Sequence, residues 1–294
     1  MMTAWFSSDF RAWLAACGCI VASTHFAAAD LRADNPPSAI FVMKVDGSEV
    51  RKIAESPGYD DHSCPRWSHD GKRVAFDVSS GPRGKRELFV VDTDGKGLRK
   101  FGKEARPDWS PDDKQLAFDV YAPYGLEIHV QNLAGEGDTS FARGVCPRWS
   151  PSGDRLATTD HHRMWVTDLE SGEAHELFDQ PFDYLWAGYN WSPDGKSLVL
   201  MARAEANKGS QMLLVSPEGA EKGLKVLLEI EQGGAVSFSP DGKQLVFDSK
   251  SKMYLMDLDG GKPRLIPGQK GKNKDPHWSY DGQWIVFSSN RHLQ

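Results

Sequence analysis

One turn motif, Ser-Pro-Asp-Gly preceded by an aromatic residue, recurs six times along the chain. Pro65-Arg66-Trp67-Ser68-His69-Asp70-Gly71-Lys72 opens the series, and Pro276-His277-Trp278-Ser279-Tyr280-Asp281-Gly282-Gln283 closes it. The aromatic position is Trp67, Trp109, Trp149, Trp191, Phe238 and Trp278, at spacings of 42, 40, 42, 47 and 40 residues. A repeat of about 40–45 residues with an aromatic signature is the period of propeller blades.

The mechanics are the same in each copy. The aromatic residue ends a strand, Pro presets φ for the turn, and Gly accepts a positive φ. A second strand follows, as in Arg73-Val-Ala-Phe-Asp77, Gln115-Leu-Ala-Phe-Asp119 and Gln244-Leu-Val-Phe-Asp248. A second hairpin also occurs six times, with strands starting at Ile40, Leu88, Ile128, Met164, Met212 and Met253. Turns such as Asp46-Gly47 and Asp94-Gly95 follow several of them. Many of these strands are apolar at successive positions, the pattern of sheets covered on both faces.

The expected fold is therefore all-β: a six-bladed β-propeller of four-stranded antiparallel blades over about residues 38–290. The chain enters with a second hairpin (Ile40 to Ala54) and leaves with a first hairpin (Pro276 to Ser289). Pairing of these amino- and carboxy-terminal hairpins would complete one blade and close the ring without an exposed edge. Residues 291–294 then form a short tail.

Composition restricts the function classes. The 294 residues carry a formal charge of −6, which argues against nucleic-acid binding, since phosphate contacts need a basic surface. No apolar run reaches the roughly 18 residues of a spanning helix. Residues 1–29 read as an export signal: Arg11, an apolar stretch from Ala12 to Ala22, and Ala27-Ala28-Ala29 as a small-residue cleavage site. Residues 30–37 are a polar lead-in. The expected location is periplasmic or secreted. Leu14-Ala15-Ala16-Cys17 also spells a lipobox, but only five residues separate Arg11 from Cys17, too few for the apolar region of a lipoprotein signal.

The Trp-Ser-Pro-Asp-Gly-Lys turn and the Asp-Leu-Asp-Gly hairpin resemble the repeat of the TolB carboxy-terminal propeller. Trp191 to Leu200 and Met253 to Gly261 match it best, and the resemblance covers almost all of the chain after residue 29. It implies a periplasmic, non-enzymatic protein that binds envelope partners. TolB also carries an amino-terminal α/β domain, for which Asp30 to Ile40 leave no room. The repeat is similar, too, to the propeller that precedes the hydrolase domain of prolyl oligopeptidases. No Gly-x-Ser-x-Gly elbow occurs in the chain. The repeat is a scaffold that hosts many activities, so it implies fold more than function.

Candidate site residues follow from the register. Arg66, Asp108, Arg148, Asn190, Ser237 and His277 precede the aromatic of each repeat, and they vary while the aromatic and Ser barely do. They are expected at the loop-rich mouth of the channel, as a polar ring binding a peptide or glycan. The alternative is solvated loop ends or inter-blade ion pairs such as Arg66 with Asp108. His62, His161, His162 and His277 are expected on the same rim, and His62, His161 and His162 are weak candidates for a metal. Cys64 and Cys146, two blades apart, are expected to be free thiols, because packed sheets stand too far apart for a bridge.

The leading expectation is an exported, monomeric propeller without cofactor, binding an envelope protein or peptide. The alternative is a metal-assisted lyase or hydrolase acting on an envelope or extracellular polysaccharide. A third reading is an assembly scaffold that forms a stable complex and takes no small ligand.

Overall fold

The computed structural model describes residues 36–291, apart from residues 82, 83, 85, 103, 104, 123, 124, 135, 136 and 138. The expected export signal over residues 1–29, Cys17 and most of the lead-in lie outside the described residues, as do residues 292–294 of the tail.

Six antiparallel sheets form the blades. Blade 1 runs outward from Asp61–Trp67 through Arg73–Ser79 and Arg86–Asp92 to Arg99–Gly102. The inner strands of blades 2, 3 and 5 are Ala105–Trp109, Val145–Trp149 and Val236–Phe238. Blade 4 departs from the pattern, because its inner strand is split into Tyr184–Leu185 and Asn190–Trp191, both paired with Leu198–Arg203. Gly188 lies in the break, where a Cβ would stand 2.2 Å from the Ala235 Cβ of blade 5. The absent side chain lets Val236 N donate to the Gly188 carbonyl.

Blade 6 is assembled from both ends of the propeller. Asn273–Trp278 and Trp284–Ser289 come from the carboxy end, and Ala39–Lys44 and Arg51–Ala54 from the amino end. The seam runs from Ala39 opposite Ser289 to Lys44 opposite Trp284 without a break in register. The expected ring closure is thus present. Phe41 and Phe287 face each other across the seam with ring centroids 5.9 Å apart.

The core is distributed between blades. One cluster joins blades 6 and 1 through Val42, Val286, Trp67 and Phe76. Another joins blades 1 and 2 through Leu88, Val90, Trp109 and Phe118. The remaining clusters occupy the other four junctions. This placement explains the apolar runs in the middle strands, since each blade buries both faces against its neighbours.

The turns show why Ser is retained beside each aromatic. Ser68 Oγ donates to Asp70 Oδ1 at 2.6 Å and accepts from Arg73 N at 2.9 Å. Lys72 N donates to the same Asp70 oxygen. Ser110 with Asp112, Ser192 with Asp194, Ser239 with Asp241 and Ser279 with Asp281 repeat the bond. In blade 3, where Ser152 replaces that Asp, Ser150 Oγ turns to Asp154 instead.

Candidate functional site

The residues preceding the aromatics do converge, but at the opposite mouth from the one expected. A pocket of about 260 Å³ contains Asp108, Arg148, Asn190, Ser237 and His277, and its rim is formed by Pro151, Pro193, Pro240 and Tyr280 of the Ser-Pro-Asp-Gly turns. The physical reason is strand direction. Each inner strand starts at the loop-rich rim and ends at the turn, so a residue abutting the turn has crossed the channel. For the seven residues Asp61–Trp67 that crossing is about 20 Å. The expectation that these residues lie at the loop-rich mouth is corrected accordingly. Arg66 is the one member behind the wall, 2% exposed.

Much of this polar ring is engaged in joining blades. Arg148 is buried, and its Nη1 donates to the Pro147 and Pro107 carbonyls at 2.6 and 3.5 Å. Its Nε donates to the Tyr189 carbonyl and its Nη2 to the Ala187 carbonyl, both at 3.3 Å. Arg148 therefore ties blades 2, 3 and 4 together at the pocket floor. Asp108 Oδ2 accepts from Trp149 N at 2.8 Å, and Asp108 Oδ1 stands 3.8 Å from Arg66 Nε, the inter-blade ion pair foreseen as the alternative. Burial pushes the Asp108 carboxyl up, and Arg148 and Arg66 pull it down. Trp109 Nε1 donates to the Arg66 carbonyl and Trp191 Nε1 to the Arg148 carbonyl, each at 3.0 Å.

His277 is held neutral, because burial and then Arg66 and Arg148 drive its pKa well below the usual imidazole value. Its Nδ1 faces Trp67 N at 3.5 Å as an acceptor. Asn190 differs from the others: it is half-buried on the pocket wall, and its amide has no hydrogen-bond partner among the described residues. The walls are Trp109, Trp149, Trp191, Phe238 and Trp278. The mouth thus offers the edges of otherwise buried aromatic rings, the charged Asp108 and Arg148 tied into the scaffold, and a few neutral polar handles.

His69 and Tyr280 also line this pocket and were not among the expected site residues. Their signal was present in the repeat, since both stand where the other four turns carry Pro.

The loop-rich mouth holds the remaining candidates. His62 is buried, accepts from Ser56 N at 2.8 Å through Nε2, and is pushed down to about 4 by burial. His161 stacks on Tyr184, its Nδ1 3.3 Å from the Leu185 carbonyl and its Nε2 3.4 Å from Arg106 Nη1. Burial and the Arg106 charge lower its pKa. His162 is exposed, with Nδ1 3.1 Å from the Phe182 carbonyl. His277 is at the other mouth, which corrects its expected place on this rim. Among the described residues, no group of three or more His, Cys, Asp or Glu is arranged to hold a metal ion.

Buried carboxylates bridge the blades here as well. Arg106 clasps Asp119 with two bonds of 3.0 Å, and Cys146 N donates to Asp119 at 3.1 Å. Asp248 accepts from Ala235 N and Asp275 N, and Asp275 accepts from Cys64 N. Cys64, Arg106, Cys146 and Asp275 each precede Pro at a φ between 49° and 58°, a left-handed conformation that a side chain disfavours. The carboxylate bonds to Cys64 N, Cys146 N and Asp275 N help to hold it. Cys64 and Cys146 are free thiols.

No known family profile matches the sequence. The chain is 29% identical over 131 residues to the uncharacterized peptidase YuxL of Bacillus subtilis, covering 45% of this chain and 19% of that protein. It is 42% identical over 60 residues to the Tol-Pal system protein TolB of Syntrophus aciditrophicus, covering 20% of this chain and 12% of that one. The chain thus matches less than a fifth of the length of either relative. Among solved structures, TolB from Acinetobacter baumannii superposes with a TM-score of 0.66 at 17% identity, over 84% of this chain and 67% of that one. The putative TolB from Agrobacterium tumefaciens gives 0.68 at 19% identity, over 87% and 99%. Oligogalacturonate lyase from Vibrio parahaemolyticus gives 0.52 at 10% identity, over 85% and 97%. At these identities the likeness concerns the fold. The ring of six blades, its seam and these neighbours together make the fold a six-bladed propeller of the TolB type.

Proposed function

We propose that this is an exported, non-enzymatic propeller that captures a polypeptide segment of an envelope protein at the turn-side mouth of its channel. The observation that carries this reading is the pocket itself, which all six blades help to line with aromatic edges and polar handles. Arg148 lies across the floor, so a ligand seats in the mouth rather than threading the channel. Aromatic surface with sparse polar groups is the make-up of protein-binding hot spots. The TolB resemblance supports the same class of function. No helix among the described residues is long and apolar enough to cross a membrane.

The polysaccharide lyase alternative rested on the histidines of the loop-rich rim. His62, His161 and His162 make separate backbone contacts, and Arg106 beside His161 opposes a cation.

Asn190→Trp would fill the pocket from the blade 4 side, at a half-buried wall residue whose amide makes no hydrogen bond among the described residues. Affinity capture from envelope extract should lose its partner in this variant while thermal unfolding changes little. Undiminished capture would move the site elsewhere. Amino-terminal sequencing of exported protein tests the signal: Asp30 is the expected first residue, whereas lipidation would leave a blocked Cys17.

A further inference from the structure

The turn-side rim is a nearly regular ring. The turn glycine of each of blades 3 to 6 packs on the proline of the turn before it: Gly153 on Pro111, Gly195 on Pro151, Gly242 on Pro193, and Gly282 on Pro240. The two other junctions depart from this rule, and they are adjacent. His69 and Tyr280 replace Pro, and Asp113 replaces Gly at a φ of 58°, where the five equivalent glycines lie between 70° and 79°. A non-glycine residue in that region costs about 1–2 kcal/mol.

These three departures meet in space. Asp113 Oδ1 accepts from His69 N at 2.7 Å and faces His69 Nδ1 at 3.1 Å, while Asp113 Oδ2 accepts from Asp70 N at 2.7 Å. A carboxylate only accepts, so Nδ1 carries the proton, which in the neutral form of the imidazole leaves Nε2 as the acceptor. His69 stacks on Tyr280 with ring centroids 4.0 Å apart, and Tyr280 remains 42% exposed. Both rings line the pocket. Its volume of about 260 Å³ falls below the ~300–1,000 Å³ usual for drug-sized ligands and suits a single bulky side chain.

Building on the peptide-capture reading, we infer that His69 and Tyr280 determine the specificity of the mouth, with Asp113 as the positioning residue. They select a peptide side chain that combines a flat ring with a hydroxyl donor. The ring lies against Tyr280 and the O–H donates to His69 Nε2. A tyrosine side chain meets both requirements.

The repeat supplies test variants already compatible with the fold. His69→Pro combined with Asp113→Gly, and separately Tyr280→Pro, restore the residues used by the other turns. The ¹⁵N-labelled protein is titrated with N-acetyl-tyrosinamide, N-acetyl-phenylalaninamide and N-acetyl-leucinamide, following the indole N–H signals of Trp109, Trp149, Trp191 and Trp278. The tyrosine amide should bind tightest, the phenylalanine amide about fivefold weaker, and the leucine amide about fivefold weaker again. The His69/Asp113 variant should abolish the tyrosine–phenylalanine difference, and Tyr280→Pro the phenylalanine–leucine difference. Equal affinities in the unaltered protein, no response of these signals, or an order unchanged in the variants would overturn the inference. Partner capture that survives both restored variants but fails in Asn190→Trp overturns the inference and keeps the peptide-binding reading; capture indifferent to all of them rejects that reading too.

Discussion

The Asp77 carboxylate stands 3.8 Å from Arg86 Nη1, near enough for attraction and too far for a hydrogen bond. Asp77 is fully buried, and neither of its oxygens has a hydrogen-bond partner among the described residues. The equivalent Asp119 and Asp248 are each held by several donors. One member of a repeated set is thus left bare.

This relationship predicts a pH dependence. Burial pushes Asp77 up to about 6, and burial with the neighbouring Asp275 charge pushes Asp248 up to about 7. Unfolded Asp titrates near 4. Between these values the folded state binds protons at these two carboxyls that the unfolded state has lost, so their contribution to stability falls as pH rises from about 4 to about 7, against the opposite contribution of the lowered His62, His161 and His277. Asp77→Asn removes one of these charges and should stabilise the protein by about 1 kcal/mol near pH 7.5, with little effect near pH 4. Urea unfolding at the two pH values checks it; destabilisation at the higher pH would contradict the claim.

Closure of the ring depends on packing across the seam. Phe287→Ala should cost about 3–5 kcal/mol, because Phe287 is fully buried against Phe41. Hydrogen exchange should show Ala39–Lys44 losing protection ahead of the other blades. Uniform loss of protection would mean that the seam is no weaker than the rest.

Equivalent tryptophans should not be equally important for stability. Trp191 Nε1 donates to the Arg148 carbonyl, whereas Trp149 Nε1 is buried without a partner. Trp191→Phe should therefore destabilise the protein by about 1 kcal/mol more than Trp149→Phe. Chemical denaturation of the two variants measures the difference, and equal losses would count against the assigned bond.

The thiols should be silent until the fold opens. Burial raises the Cys146 thiol to about 12 and holds the Cys64 thiol well above its usual value, so neither forms thiolate near neutral pH. The unreduced chain from Asp30 onward should react with a thiol reagent only after unfolding, and then at two sites. Finding none would reveal a disulfide.

The architecture was legible because it is written in local, repeated chemistry. The aromatic–Ser–Pro–Asp–Gly turn sets the number of blades, and the phase of the hairpins sets where the ring closes. Strand direction was legible too, since Trp67 abuts its turn, yet the ring residues were assigned to the loop-rich rim. The roles within that ring were not legible. Arg148 and Asn190 occupy the same repeat position, but one is consumed by four backbone carbonyls and the other has a spare amide.

By itself the sequence determined a propeller of six blades, its seam and its turns, because each depends on periodicity and on residues a few positions apart. Only the tertiary structure decided which polar groups serve the scaffold and which face the mouth. Those groups answer to carbonyls and carboxylates about a blade away in the chain, brought together at the axis by how the sheets pack. His69 meeting Asp113 across 44 residues depends on that packing.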